Sequence, residues 1–139
     1  MVHNGMEYGM MQAIAEGFAI LKKSDYKLDL ARIADIYNHG SVIESRLVGW
    51  LKAAFELHGE GLEGVSGIVG HTGEGEWTVK TAKRMGLKAK IIEGALKFRK
   101  LSEKNPDTYT GKVLSALREQ FGGHEAARKA EQQQQQQTK

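Results

Sequence analysis

The chain has 139 residues, of which 40% are hydrophobic and 27% charged, with a formal net charge of +3. That length holds one domain with a real core and is too short for two ordinary ones, and the composition is that of a soluble globular protein. The absence of cysteine excludes disulfides and thiolate metal sites, and no apolar run approaches the roughly 20 residues that cross a bilayer. No secretory leader pattern precedes the first periodic segment, so a cytoplasmic protein is expected. Lys and Arg are interleaved with Glu and Asp along the chain, so no concentrated basic stripe is predicted. Neither nucleic acid nor a membrane is an expected partner.

Helical periodicity runs through the chain. Met6, Met10, Ile14, Phe18 and Leu21 recur at three- and four-residue steps and predict a first helix with these side chains on one face. A second helix is expected from about Asp29 to Asn38, with Leu30, Ile33, Ala34 and Tyr37 inward and Gly40 stopping it. Ser41-Val42-Ile43-Glu44 reads as a capping box that starts a third helix, which continues through Trp50 and Phe55 to His58-Gly59. Residues 59 to 75 contain seven glycines and read as a mobile loop. Helix resumes at Trp77 and ends near Met85-Gly86. A further helix is expected from about Lys88 to Leu101, and another from about Thr110 to Phe121. With no alternating strand pattern and a single proline, an all-α fold follows. The last residues carry six consecutive glutamines that cannot bury apolar surface. The expected organisation is therefore a helical domain over 1–125 and a polar tail over 126–139, disordered or frayed.

Several motifs are weighed and set aside. Gly59-Glu60-Gly61-Leu62-Glu63-Gly64 has the spacing of a dinucleotide-binding fingerprint, but that device needs a strand before it and a helix after it. Here a helix precedes it and more glycines follow. The five histidines, at 3, 39, 58, 71 and 124, show no metal-ligand spacing, so no metal is expected. Arg99 and Arg118 have the planar fork suited to phosphate and carboxylate, though lone surface arginines are common. His3-Asn4-Gly5-Met6-Glu7-Tyr8 packs an imidazole, an amide, a carboxylate and a phenol into six residues. On a helix Asn4, Glu7 and Tyr8 share one face by their three- and four-residue spacing.

Five stretches in order resemble one family. Met1-Val2-His3-Asn4-Gly5-Met6-Glu7-Tyr8-Gly9, Asn38-His39-Gly40-Ser41-Val42-Ile43-Glu44-Ser45 and Gly73-Glu74-Gly75-Glu76-Trp77-Thr78 are the first three. Arg99 before a serine-containing turn and Arg118-Glu119-Gln120-Phe121-Gly122-Gly123-His124 complete the set. Together they resemble the C-terminal domain of decarboxylating 6-phosphogluconate dehydrogenase, in its shorter bacterial form, over residues 1 to about 125. The resemblance implies an enzyme of the pentose phosphate pathway that oxidises 6-phosphogluconate at C3, releases carbon dioxide and protonates the enediol to ribulose 5-phosphate. It implies that Glu7 is the general acid, a role that calls for a pKa raised by burial. His3 and Asn4 would hold the sugar hydroxyls or carboxylate. Tyr8, Arg99 and Arg118 would contact the phosphate, and His124 the sugar chain. Arg118 and His124 would come from the partner subunit of a homodimer or higher homo-oligomer.

The departures from the family pattern carry their own expectations. The family's general-base lysine stands one position before the residue matching Met1, and the coenzyme domain with its glycine fingerprint precedes it. The chain by itself is thus expected to bind no NAD or NADP, the coenzymes of the full-length enzyme, and to be inactive alone. A basic residue normally stands at the position of Glu76, where an acid would oppose an anionic substrate. The expected function is the substrate-binding and dimerisation domain of such an enzyme. The alternative is a helical dimerisation or interaction domain whose ligand pocket has decayed.

Overall fold

In the computed structural model residues 1–121 are described, and they form six α-helices with no β-strand among them. The helices are α1 (Val2–Lys23), α2 (Leu30–Tyr37), α3 (Arg46–His58), α4 (Glu74–Arg84), α5 (Lys90–Leu101) and α6 (Tyr109–Glu119). A 3-10 turn, Ser102–Lys104, links α5 toward α6. The all-α expectation and the order of the helices both hold. The tail beyond residue 125 and His124 lie outside the described residues.

α1 is the axis of the molecule, packing against α4, α5 and α6 and touching α2, while α2 pairs with α3 and α3 with α6. Its first half and second half meet different partners. From Met11 onward α1 enters the main core with Ala15 and Phe18, facing Leu30 and Ala34 of α2, Leu51 and Phe55 of α3, and Leu114 and Leu117 of α6. Near its start, Tyr8 joins Val79 of α4 and Ala95 and Leu96 of α5 in a second, smaller cluster. Glycines permit the close approach there: a Cβ on Gly5 would stand 2.5 Å from the Thr78 side chain, and one on Gly9 3.2 Å from Ile91.

The face of α1 that turns inward differs from the predicted one. Phe18 is buried and Ile14 and Leu21 are half-buried, but Met6 and Met10 are 58% and 48% exposed. The inward stripe is Tyr8, Met11, Ala15 and Phe18, one step around the helix. Met11 and Met10 are equally apolar, so hydropathy alone cannot choose between them; the positions of α4 and α6 do.

Two other expectations are corrected. The capping box at Ser41 does not form. The Ser41 hydroxyl donates back to the Tyr37 carbonyl, and Glu44 Oε2 accepts from the Gly40 amide at 2.7 Å. The helix begins four residues later at Ser45, whose hydroxyl accepts the Val48 amide at 3.3 Å while its own amide donates to Asn38 Oδ1 at 2.9 Å. The glycine-rich stretch is a loop, as predicted, but it is packed rather than free. Leu62, Val65 and Val69 are buried in the main core. The Gly67 amide donates to the Pro106 carbonyl at 2.7 Å, and the Val69 amide to Ser102 Oγ at 2.9 Å. Ser115 Oγ donates to the Ile68 carbonyl at 2.9 Å. Gly67 and Gly111 stand against one another with no room for a side chain on either. The small residues let the strap lie directly on α6, so its backbone polar groups find partners although they are buried.

Candidate active site

Tyr8, Arg99, Arg118 and Glu7 come together where α1 crosses α4, α5 and α6. Tyr8 is buried at 5% exposure, with its ring against the Gly75 backbone, where a Cβ would stand 2.5 Å from a ring carbon. Arg99, at 2% exposure, lays its guanidinium over that ring, 3.6 Å from the centroid. Its Nη1 donates to the Gly70 carbonyl at 3.3 Å, and its Nη2 reaches Met11 Sδ at 3.6 Å. Arg99 Nε and Tyr8 Oη are buried without any hydrogen-bond partner among the described residues. Buried polar groups left this way are costly unless something else completes them.

Arg118 reaches the same place from α6. Its Nη1 lies 2.8 Å from where a Cβ on Gly70 would stand, so both arginines converge on the Gly70 backbone. Burial pulls the Arg99 guanidinium down to about 10; Tyr8 and Glu7 oppose that shift, and the like charge of Arg118 adds to it. Arg118 is lowered by its own burial, with Tyr8 and Glu7 again acting in the other direction. Both therefore stay cationic near neutral pH. The resemblance brings Arg118 to the site from a partner subunit, whereas this fold sets it beside Arg99, Tyr8 and Glu7 of its own chain. Two guanidinium forks and a free phenol hydroxyl converging in a low-dielectric setting form a receptor for an anion such as a phosphate or carboxylate.

The remaining residues of the opening motif face a different space. Glu7 is half-buried and lines a hollow of about 470 Å³ with His3, Met6, Met10, Trp50 and Phe121. Trp50 and Phe121 stack at 4.9 Å between ring centroids, and Arg46 stands over Trp50 at 5.7 Å. The His3 ring nitrogen Nδ1 and Asn4 Oδ1 are 3.0 Å apart, which ties these neighbours to one another. Glu7 thus lines a cavity with an apolar wall, and its carboxylate acts electrostatically on the two arginines.

α4 anchors the start of α1. The Thr78 hydroxyl shares its proton between the carbonyls of Met1, at 3.0 Å, and Glu74, at 2.9 Å. Gly73, at φ 98°, turns the chain into α4 and brings Gly75 against Tyr8. Glu76, read as opposing an anionic substrate, is held by two lysines: Lys80 Nζ at 3.1 Å and Lys100 Nζ at 3.2 Å. Those bonds keep its carboxyl below the usual range. The acid is therefore neutralised within the fold. The Gly59–Gly64 stretch offers no pyrophosphate cradle, since Leu62 within it fills the core and no strand or helix flanks it in the required way. Gly70 and Met11, which hold Arg99, carried no signal in the sequence; one contributes a backbone oxygen, the other a thioether.

A family model described as the 6-phosphogluconate dehydrogenase C-terminal domain matches residues 1–136. The chain belongs to the 6-phosphogluconate dehydrogenase family. It is 44% identical over 131 residues to the "Putative 6-phosphogluconate dehydrogenase YqeC" of Bacillus subtilis (strain 168), an overlap covering 93% of this chain and 43% of that protein. Over 129 residues it is 38% identical to the NAD(+)-dependent, decarboxylating 6-phosphogluconate dehydrogenase of Haloferax volcanii, again covering 93% and 43%. A decarboxylating 6-phosphogluconate dehydrogenase of Lactococcus lactis subsp. lactis is 31% identical over 131 residues, 88% of this chain and 28% of that one. The chain thus spans less than half the length of these relatives. The helical architecture agrees with a 6-phosphogluconate dehydrogenase C-terminal domain. No helix among the described residues is long and apolar enough to cross a membrane.

Proposed function

We propose that the chain is the substrate-binding and dimerisation part of a decarboxylating 6-phosphogluconate dehydrogenase acting in the cytoplasm. The observation that carries this reading is the Arg99–Tyr8 pair, whose Nε and Oη are buried without partners beside a second arginine. A phosphate would complete both groups and compensate the two positive charges. In this reading Tyr8, Arg99 and Arg118 hold the phosphate of 6-phosphogluconate. His3 and Asn4 take its hydroxyls or carboxylate. Glu7, at the edge of the hollow, delivers a proton to C1 of the enediol left after decarboxylation, giving ribulose 5-phosphate. His124, outside the described residues, contacts the sugar chain and comes from a second copy of the chain.

Relatives more than twice as long supply what this chain is not seen to hold. The hydride acceptor, NAD or NADP, and the base that starts the oxidation belong to that further length, so the chain alone is expected to bind substrate without turning it over. Calorimetry with 6-phosphogluconate tests the proposal: saturable binding is expected, with gluconate lacking the phosphate binding far more weakly. A chain that dimerises yet takes up neither compound would instead support the interaction domain with a decayed pocket, a reading that Glu76 favours by placing an acid where the family has a base.

A further inference from the structure

We infer that the groove between α4 and α5 is a docking surface for an acidic amphipathic helix of a partner protein. Residues 76 to 104 carry nine Lys and Arg against three Glu, a surplus of six positive charges in a chain whose total is +3. The rest of the molecule is therefore net acidic. The pairing of α4 with α5 gathers those lysines, scattered along the sequence, onto one surface. The corrected expectation is plain: the basic stripe exists, and it is made by tertiary structure.

The groove, about 470 Å³, has Val79, Leu96 and Leu101 at its base, with Lys80, Lys97 and Lys100 among its rim residues. A second hollow shares Val79, Lys83 and Glu93 with it and extends toward Leu87, Lys88 and Lys90, so the two form one trough. The trough follows α5 for its 12 residues, or about 18 Å, long enough for the i, i+4 and i+7 anchors of a docked helix.

The rim already shows which ligand group it accepts. Lys80 and Lys100 hold Glu76, and Lys83 holds Glu93 at 2.5 Å. Lys88, Lys90 and Lys97 have no ion pair among the described residues and remain open to carboxylates of another chain. A protein helix fits better than nucleic acid for three reasons. The floor is apolar and rewards leucine-like side chains. Glu76 and Glu93 on the rim repel a phosphate backbone. No aromatic side chain lines the trough to stack a base.

The inference stands apart from the proposed substrate site and is tested without 6-phosphogluconate. A fluorescent three-turn peptide with leucines at i, i+4 and i+7 among glutamates is titrated with the chain. Polyglutamate and a DNA duplex of matching length serve as competitors. The amphipathic peptide is expected to bind at least about tenfold more tightly than either. The double variant Lys88→Glu/Lys97→Glu, altering two unpaired surface residues, is expected to weaken it by about tenfold or more. Amide shift changes on the unaltered chain should centre on Val79, Leu96 and Leu101. The inference is overturned if DNA or polyglutamate binds as tightly as the peptide, if the double variant binds it equally well, or if the shifts fall elsewhere or no binding is seen.

Discussion

Arg99 illustrates how a single side chain is placed for something other than stability. Its guanidinium is desolvated, and the hydrogen bonds it makes, to Gly70 and to a thioether, are long ones. Its pKa is lowered to about 10, so the folded state holds this proton less tightly than the unfolded chain does. The buried charge therefore opposes folding at neutral pH, and that opposition is relieved as pH rises through about 10 toward the ordinary value. The contact with the Tyr8 ring returns some of this, about 2 kcal/mol for a desolvated cation–π pair. Arg99→Met is accordingly expected to leave the melting temperature unchanged or raised while abolishing calorimetric binding of 6-phosphogluconate. A large loss of stability with binding retained would assign Arg99 a purely structural role. Tyr109 behaves in the opposite sense. Its hydroxyl donates to the Glu60 carbonyl at 2.7 Å, and burial, helped by the Glu60 charge, raises its pKa well above the ordinary 10.0. Its contribution to stability is complete below pH 10.0 and falls as pH rises beyond it, because the unfolded chain ionises first. Tyr109→Phe should remove that alkaline decline in denaturant titrations and cost about 1 kcal/mol near neutral pH.

At the scale of elements, the seam between α1 and α4 governs the candidate site, because it sets where His3, Asn4, Glu7 and Tyr8 stand. Gly5 and Gly75 let the two helices touch, and the Thr78 hydroxyl fastens the Met1 carbonyl. Gly5→Ala would normally help a helix by up to about 1 kcal/mol. Here its Cβ would collide with Thr78, so the substitution should instead destabilise by about 1 to 3 kcal/mol and loosen the first turn. Faster hydrogen exchange at the amides of α1's start, with the main core unchanged, is the signature to measure. Capping carries a similar lesson. Ser41 and Ser45 are chemically alike, and the choice between them falls to Asn38, which takes the Ser45 amide, and to Glu44, which turns back to Gly40.

Considered whole, the molecule joins two apolar clusters through α1, and the candidate site sits at their junction, with Tyr8 in the smaller cluster and Met11 in the larger. Because one helix belongs to both, the clusters should melt together. Leu114→Ala, in the main core beside α1, is expected to cost about 2 to 5 kcal/mol. Its unfolding should remain a single transition that coincides when followed by tryptophan fluorescence and by circular dichroism. Separate transitions would show that the α4–α5 cluster holds together independently.

The sequence by itself determined the all-α class, the order of the helices and the family, because periodicity, helix breakers and ordered motifs are local properties of the chain. It also marked Tyr8, Glu7, Arg99 and Arg118 as residues worth locating. Tertiary structure alone decided which face of α1 is inward, since Met10 and Met11 are equivalent until α4 and α6 are in place. It alone brought Arg118 beside Arg99 and supplied the Gly70 carbonyl that one arginine grips and the other approaches. The glycine-rich strap could not be read as buried, because its partners on α6 lie more than 40 residues further along. Glu76, an apparent obstacle, is neutralised by Lys100 across a helix pair. The basic trough likewise exists only once α4 and α5 pack together. Charge and packing act through space, and neither reaches the reader of a linear chain until folding has set the distances.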